Sequence, residues 1–350
     1  MIAADVVRDV GTTAAGRVRL TVLLAPDDDA TIVRDVRVAL EGVDGVTDVR
    51  VDVRDPAEFD RPAAAATPRP PTRQPLPVMS EAAPTPKRVA APTPVAYPGL
   101  GRVIAVSSGK GGVGKSTVAV NLAVALARAG ARVGLMDADI YGPNIPRMMG
   151  VSEPPPVLDD KILPLEAHGV KVISLGLLID RDQPAIWRGP IVMKIITQYL
   201  RDVNWGQLDL LLVDMPPGTG DAQLSLVQAT NVAGAVIVTT PQEVSTGDAL
   251  RGARMFQRVN VPVLGIIENM SWFECPHCGE PSMIFGTGGG QRLADELDLP
   301  LLGQVPLYPR VLAGGDTGEP IVVSEPESSA AQALDGIAER VRELVVAPTV

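Results

Sequence analysis

"VIAVSSGKGGVGKSTVAVNLAVALA", Val103–Ala127, sets a strand-like apolar run, a glycine-rich turn and a helical stretch in direct succession. Within it, Gly109-x-x-x-x-Gly114-Lys115-Ser116 fits the Walker A phosphate loop, in the strand-loop-helix context that such a loop needs. Gly109, Gly111, Gly112 and Gly114 let backbone N–H groups turn inward toward phosphate oxygens, with Val113 and Thr117 completing the cradle. The start of the following helix adds partial positive charge. Lys115 is placed to reach the β- and γ-phosphates of a nucleotide, and Ser116 to ligate Mg2+. A chance glycine-rich turn is the alternative, and the flanking elements argue against it. Lys110 is a second lysine in the loop; alone, it reads as a solvated charge.

The texture around the loop supports an α/β fold. Short Val/Ile/Leu runs ("RVIAVSS", "RVGLMDAD", "VKVISLGLL", "LDLLLVDMP", "GAVIVTTP", "VPVLGIIEN", "PLLGQVPL") alternate with helical spacing near Gly114–Ala129, Pro190–Val203, Asp221–Thr230, Ser245–Val259, Gly289–Leu297 and Glu327–Val345. Alternation of this kind predicts right-handed crossovers and a mostly parallel P-loop NTPase sheet with helices on both faces. That domain is expected over residues 99–350. Residues 1–54 read as a small β-α-β segment, with strands over Gly16–Pro26 and Gly45–Val53 around a helix over Asp29–Val43. Between them, residues 55–98 are rich in proline and alanine. Twelve of the chain's 33 prolines fall between Asp55 and Leu100, which predicts an extended, semi-rigid linker.

Carboxylates at strand ends complete the expected site, because ligands of open α/β sheets bind outside the carboxyl ends of the strands. Asp214, closing "LDLLLVD", is the candidate to hold Mg2+ as a Walker B aspartate does. Asp137 is expected to help the metal shell, and Asp139 to orient the attacking water; a helix N-cap is the plainer role for Asp139. "PPGTG" after Asp214 reads as a switch loop. Asn269, ending another strand, carries an amide able to read a purine edge, with a turn-forming role as the alternative.

Both cysteines of the chain, Cys275 and Cys278, lie in "ECPHCGE". A tetrahedral metal centre or an iron–sulfur cluster usually needs four protein ligands. Three readings follow: a pair that meets its copy across a symmetric dimer, a redox pair, or two inert thiols. The surrounding "SWFECPHCGEPSMIFG" reads as a loop, unlike the helix N-terminus of a redox pair. A net charge of −10 argues against nucleic acid as a partner. No apolar run approaches the length of a membrane span, and the start of the chain lacks the pattern of a signal peptide; a cytoplasmic protein without a membrane partner is expected. The last helix carries Leu334, Ile337, Val341 and Leu344 on one stripe, without a lysine-rich polar face, and is expected to pack in the core.

From about Pro98 to Glu343 the chain resembles the Mrp/ApbC iron–sulfur cluster carrier ATPases. The resemblance rests on "SSGKGGVGKSTVAVNLA", "DADIYGPNIPRMMG", "WRGPIVMKIITQYL", "WGQLDLLLVDMPPGTGDAQLSL", "ENMSWFECPHCG", "FGTGGGQRLADEL" and "LLGQVPL", in that order. The K-G-G-x-G-K-S-T loop is similar to the deviant Walker A of MinD/ParA-type ATPases, which implies that Lys110 crosses a dimer interface to the partner's nucleotide. The resemblance implies a slow ATP hydrolase that forms a homodimer. It implies a [4Fe-4S] cluster held between subunits by Cys275 and Cys278 and passed to apo iron–sulfur proteins, with a cluster-assembly scaffold as a further partner. It also implies an ATP site made by Gly109–Thr117, Asp137, Asp139, Asp214 and Asn269. A partition or positioning ATPase, or an ATPase with a structural zinc at the dimer interface, are the alternatives. The N-terminal segment is similar to the small domain that often precedes this ATPase. It departs from it twice: it is short at its start, so that a first helix is missing or the start lies upstream, and an aspartate, Asp28, stands near the position of the family's cysteine.

Overall fold

The computed structural model describes residues 7–12, 16–23, 31–54, 94–139, 142–178, 189–275 and 277–346. The proline-rich stretch, apart from its last residues, and Asp28 lie outside the described residues. The chain divides into two units, Met1–Pro84 and Thr85–Val350.

In the first unit β1 (Val7–Thr12), β2 (Arg17–Leu23), α1 (Thr31–Glu41) and β3 (Asp48–Arg54) follow one another. β2 pairs antiparallel with β1 and parallel with β3. Alternate residues Val18, Leu20, Val22 and Val49 form its small core. β1 is an addition to the expected β-α-β. Its two described valines, Val7 and Val10, are exposed, so it carries no period-two apolar signal.

In the second unit the chain runs β4 (Arg102–Ser108), α2 (Lys115–Arg128), β5 (Val133–Asp137), α3 (Ile145–Met148), β6 (Val157–Leu158), β7 (Lys161–Ile162), β8 (Leu165–Ala167), β9 (Val170–Ser174) and α4 (Gly189–Asp202). It continues through β10 (Leu210–Asp214), α5 (Asp221–Ala229), β11 (Val232–Thr239), α6 (Glu243–Arg258), β12 (Val263–Glu274), β13 (Pro281–Ser282) and α7 (Gly289–Leu297). β14 (Leu301–Leu307), α8 (Pro309–Thr317), α9 (Ile321–Ser324) and α10 (Ser329–Val346) complete it. The main sheet has the order β13-β12-β11-β4-β10-β5-β9-β8, with β14 also paired to β12. Only the pairings of β8 and β13 are antiparallel in it. β4, β5 and β10 are buried along almost their whole length, as expected of strands covered on both faces. α2 and α10 pack on one face of the sheet, through residues such as Leu122, Leu334, Ile337 and Val341. α4, α5, α6 and α7 cover the other, through Ile196, Leu226, Phe256 and Leu293. Three residues of the α10 stripe are thus core, whereas Leu344 is exposed. No described helix is long and apolar enough to cross a membrane.

Two expectations shift. "VKVISLGLL" leaves the sheet at Ser174 and turns into a short 3-10 helix over Leu175–Leu177, because the Ser174 hydroxyl accepts from the Gly176 N–H and caps that turn. "SWFECPHCGEPSMIFG" is not simply a loop: β12 runs on to Glu274 and pairs with β13, so the cysteines sit in the turn of a hairpin.

Candidate functional site

The phosphate loop joins β4, at the middle of the sheet, to α2. Gly112 and Gly114 adopt φ of 81° and 80°, a left-handed conformation that glycine enters without cost. Gly109 is required for packing: a Cβ there would lie 2.1 Å from the Asp248 carbonyl carbon of α6. At Gly114 a Cβ would lie 2.2 Å from the Asn269 amide nitrogen. Asn269, nearly buried at 7% exposure, donates from that nitrogen to the Val113 carbonyl at 2.8 Å. Its side chain thus braces the loop. The Ser108 hydroxyl donates to the Lys110 carbonyl, and the Gly218 N–H to the Ser108 carbonyl, tying the start of the loop to the "PPGTG" segment.

Parallel register brings the acidic strand ends together. Asp214 of β10 pairs with Asp137 of β5, and Asp137 with Ser174 of β9. Lys115 Nζ, 6% exposed, lies 2.7 Å from Asp214 Oδ1, 3.8 Å from Asp139 Oδ2 and 3.2 Å from Ser116 Oγ. Ser116 Oγ donates to Asp214 Oδ2 at 2.6 Å. Asp137 accepts from the Ser174 hydroxyl at 2.8 Å and from the Asp139 N–H at 3.0 Å. Burial, and then the neighbouring Asp214 charge, push the Asp137 carboxyl up to about 8. Asp139 therefore meets Lys115 and does not cap a helix: the next helix, α3, has Asn144 at its N-cap. Beside these groups lies a cavity of about 200 Å³, lined by Lys110, Gly111, Gly112, Lys115, Thr117, Asp139, Asn144, Met148 and Pro217 among others.

Burial and the Asp214 charge favour the protonated form of Asp137, and a bound cation would reverse that balance and favour its carboxylate. The hydroxyl and carboxylate oxygens of Ser116, Asp214 and Asp137 form a hard donor set that suits Mg2+. The residues therefore fit that ion.

Sequence reasoning missed several parts of the site. Gln223 Nε2 donates to the Pro216 and Gly218 carbonyls and holds the segment after Asp214. Ser174 orients Asp137, and Asn144 and Met148 line the cavity. Ser174 carried a usable signal, since it ends an apolar strand as Asp137 and Asp214 do.

Cys275 is half-buried and Cys278 exposed. The Gly279 N–H donates to the Cys275 carbonyl and the Cys275 N–H to the Glu280 carbonyl, closing the turn. The N–H groups of His277 and Cys278, and then the Cys278 thiol, hold the Cys275 thiol below its ordinary pKa, which favours the thiolate that binds metals. Among the described residues no group of three or more His, Cys, Asp or Glu is gathered to hold a metal. The other histidine, His168, contacts the Gly318 carbonyl through Nε2 at 2.9 Å.

A family model described as ParA, NUBPL iron-transfer P-loop NTPase, matches residues 99–342. An iron-sulfur cluster carrier protein of Synechocystis is 55% identical over 263 residues, covering 73% of this chain and 74% of that one. One from Deinococcus radiodurans is 46% identical over 330 residues, 94% of this chain and 84% of that one. Among solved structures, a nucleotide-binding protein of Archaeoglobus fulgidus in complex with ADP is 40% identical, with a TM-score of 0.58 over 66% of this chain and 90% of that one. The cell division ATPase MinD of Pyrococcus furiosus is 26% identical, with a TM-score of 0.53 over 70% of this chain and all of that one.

Proposed function

The chain belongs to the NUBPL iron-transfer P-loop NTPase family, and we propose that it is an ATP-hydrolysing carrier that holds a [4Fe-4S] cluster across a homodimer and delivers it to apo-proteins. The observation that carries this reading is the cysteine turn, in which one thiol is favoured as thiolate and its neighbour is exposed beside it. Two thiolates are half of the usual ligand set of such a cluster, and a second copy of the chain supplies the other half.

For the nucleotide, the loop N–H groups and Lys115 bind the phosphates. Lys115 must exchange its pairing with Asp214 for contact with phosphate, and Ser116 must release the same carboxylate. That exchange frees the Asp214 oxygens, so that Ser116, Asp214 and Asp137 would hold Mg2+. When bound, the ion neutralises charge on the β- and γ-phosphate oxygens. Asp139, beside Lys115 at the cavity, orients the attacking water. Lys110 lines the same cavity and serves the nucleotide of the partner subunit, so that hydrolysis depends on assembly. Asn269 holds the loop and borders the base. The expected domains are a small unit over residues 1–54, a linker over 55–98 and the ATPase over 99–350, acting in the cytoplasm without nucleic acid or membrane as partner.

Iron and acid-labile sulfide analysis of anaerobically reconstituted protein, parent beside Cys275→Ala, tests the reading. The parent is expected to bind about two iron and two sulfide per chain, half a four-iron cluster, and the variant neither. Equal loading of the variant would remove the ligand assignment. Zinc without sulfide in protein isolated anaerobically would replace the cluster with a structural metal.

A further inference from the structure

β12 touches the phosphate loop through Asn269 and continues directly into the cysteine turn. Its residues differ sharply in how they are held. The Glu268 carboxylate is buried and accepts from the Ser271 hydroxyl, the Gln304 amide and the Gly290 N–H at the start of α7. It is a fixed post. Asn269, next along, is bonded to the Val113 carbonyl and packed against Gly114. Met270 then adopts φ of 56°, in the left-handed region that residues other than glycine rarely enter. There the ladder to β14 breaks. Asn269 pairs with Val305 and Phe273 with Leu307, so four steps along β12 span two along β14. Past this bulge the strand pairs again, with β13, and enters the turn at Cys275.

We propose that the Met270 bulge is the joint through which nucleotide on the phosphate loop alters the cysteine turn, with Asn269 as the positioning residue that senses the loop. The inference rests on the carrier reading above. Its logic is mechanical. A shift of the Val113–Gly114 backbone on phosphate binding pulls on the Asn269 amide. Glu268 blocks transmission back into the sheet. The bulge, where β12 has no ladder partner on β14, yields instead and passes the displacement toward Cys275. Bulges beside sites are a known way of re-aiming a strand.

The test is the alkylation rate of Cys275 and Cys278 in the cluster-free full chain, read by mass spectrometry with and without saturating Mg-ADP. The parent rate at Cys275 is expected to change by about fivefold or more on binding, and that of Asn269→Ala, at confirmed saturation, by less than about twofold. Met270→Gly, which enters positive φ freely and preserves the bulge, is expected to keep the parent response. Hydrogen exchange of the Met270–Cys275 amides in the parent needs no variant and should change with Mg-ADP. A parent chain that binds nucleotide with unchanged thiol rates and unchanged exchange overturns the link. So does a full response in Asn269→Ala. In either case cluster loading of the same preparation leaves the carrier reading standing, whereas failure to bind nucleotide overturns both.

Discussion

Gly112 and Gly114 share one backbone conformation yet differ in their surroundings. Nothing lies within 4 Å of a Cβ built on Gly112, whereas one on Gly114 would meet the Asn269 amide at 2.2 Å. Gly112→Ala should therefore lose only the conformational term, ~1–2 kcal/mol. Gly114→Ala adds a collision with a nearly buried side chain and should lose about 3 kcal/mol or more, together with nucleotide binding. Urea unfolding of both variants separates the two, and equal losses would contradict the packing described. Cys275 offers a second contrast at this scale. Its pKa is lowered first by the His277 N–H, then by the Cys278 N–H and thiol. The sign is that of a depressed acid. The thiolate, and its reactivity toward iodoacetamide, should persist below the ordinary thiol range and vanish as pH falls through the lowered value. Cys278→Ala removes only the last and smallest of these causes, so the midpoint should rise without reaching that of an ordinary cysteine. A Cys275 midpoint at or above the ordinary thiol value would show that these N–H groups do not act on the sulfur.

At the scale of the element, β12 depends on Glu268, whose carboxylate joins three donors from β12, β14 and α7. Glu268→Ala takes this acceptor from the Gly290 N–H and the Gln304 amide, while the Ser271 hydroxyl keeps the Glu268 carbonyl, and is expected to cost about 3 kcal/mol in urea unfolding. Glu268→Gln keeps one acceptor oxygen but turns an N–H toward another donor, so its loss should be intermediate; a variant as stable as the parent would deny the anchor. Glu268 also marks the limit of what the sequence tells. Local chemistry was legible. "RVIAVSS" is β4 residue for residue, and the glycine pattern, Lys115 and the aspartate ending β10 follow from spacing alone. The partners were not. Gln223 reaches back to Pro216, Ser174 reaches Asp137 through strand register, and Glu268 reaches Gly290 across a hairpin. Such contacts depend on strand order, which a local pattern does not encode. The bulge at Met270 was hidden for a related reason. The apolar run "VPVLGIIEN" ends at Asn269 and "SWFE" reads as loop, so the continuation of β12 and its two extra residues emerge only from pairing against β14.

At the scale of the whole molecule, the proposed homodimer would complete two sites. One chain brings two thiols to the hairpin turn, and Lys110 lines the cavity beside Lys115. If one dimer completes both, the two completions can be separated. In the absence of nucleotide, loading the cluster should double the mass of the chain in analytical ultracentrifugation, because four thiolates hold one cluster. An iron chelator added without oxygen should return that species to single chains. Cys278→Ala should stay at the mass of one chain under the same conditions while still binding nucleotide. Lys110→Ala should show the reverse pattern: it should dimerise on cluster loading and bind ATP with near-parent affinity, yet hydrolyse it about tenfold or more slowly, since a cation delivered by the partner acts on the transition state. A cluster carried by single chains would break the argument at the cysteines, and undiminished hydrolysis in Lys110→Ala would break it at the nucleotide.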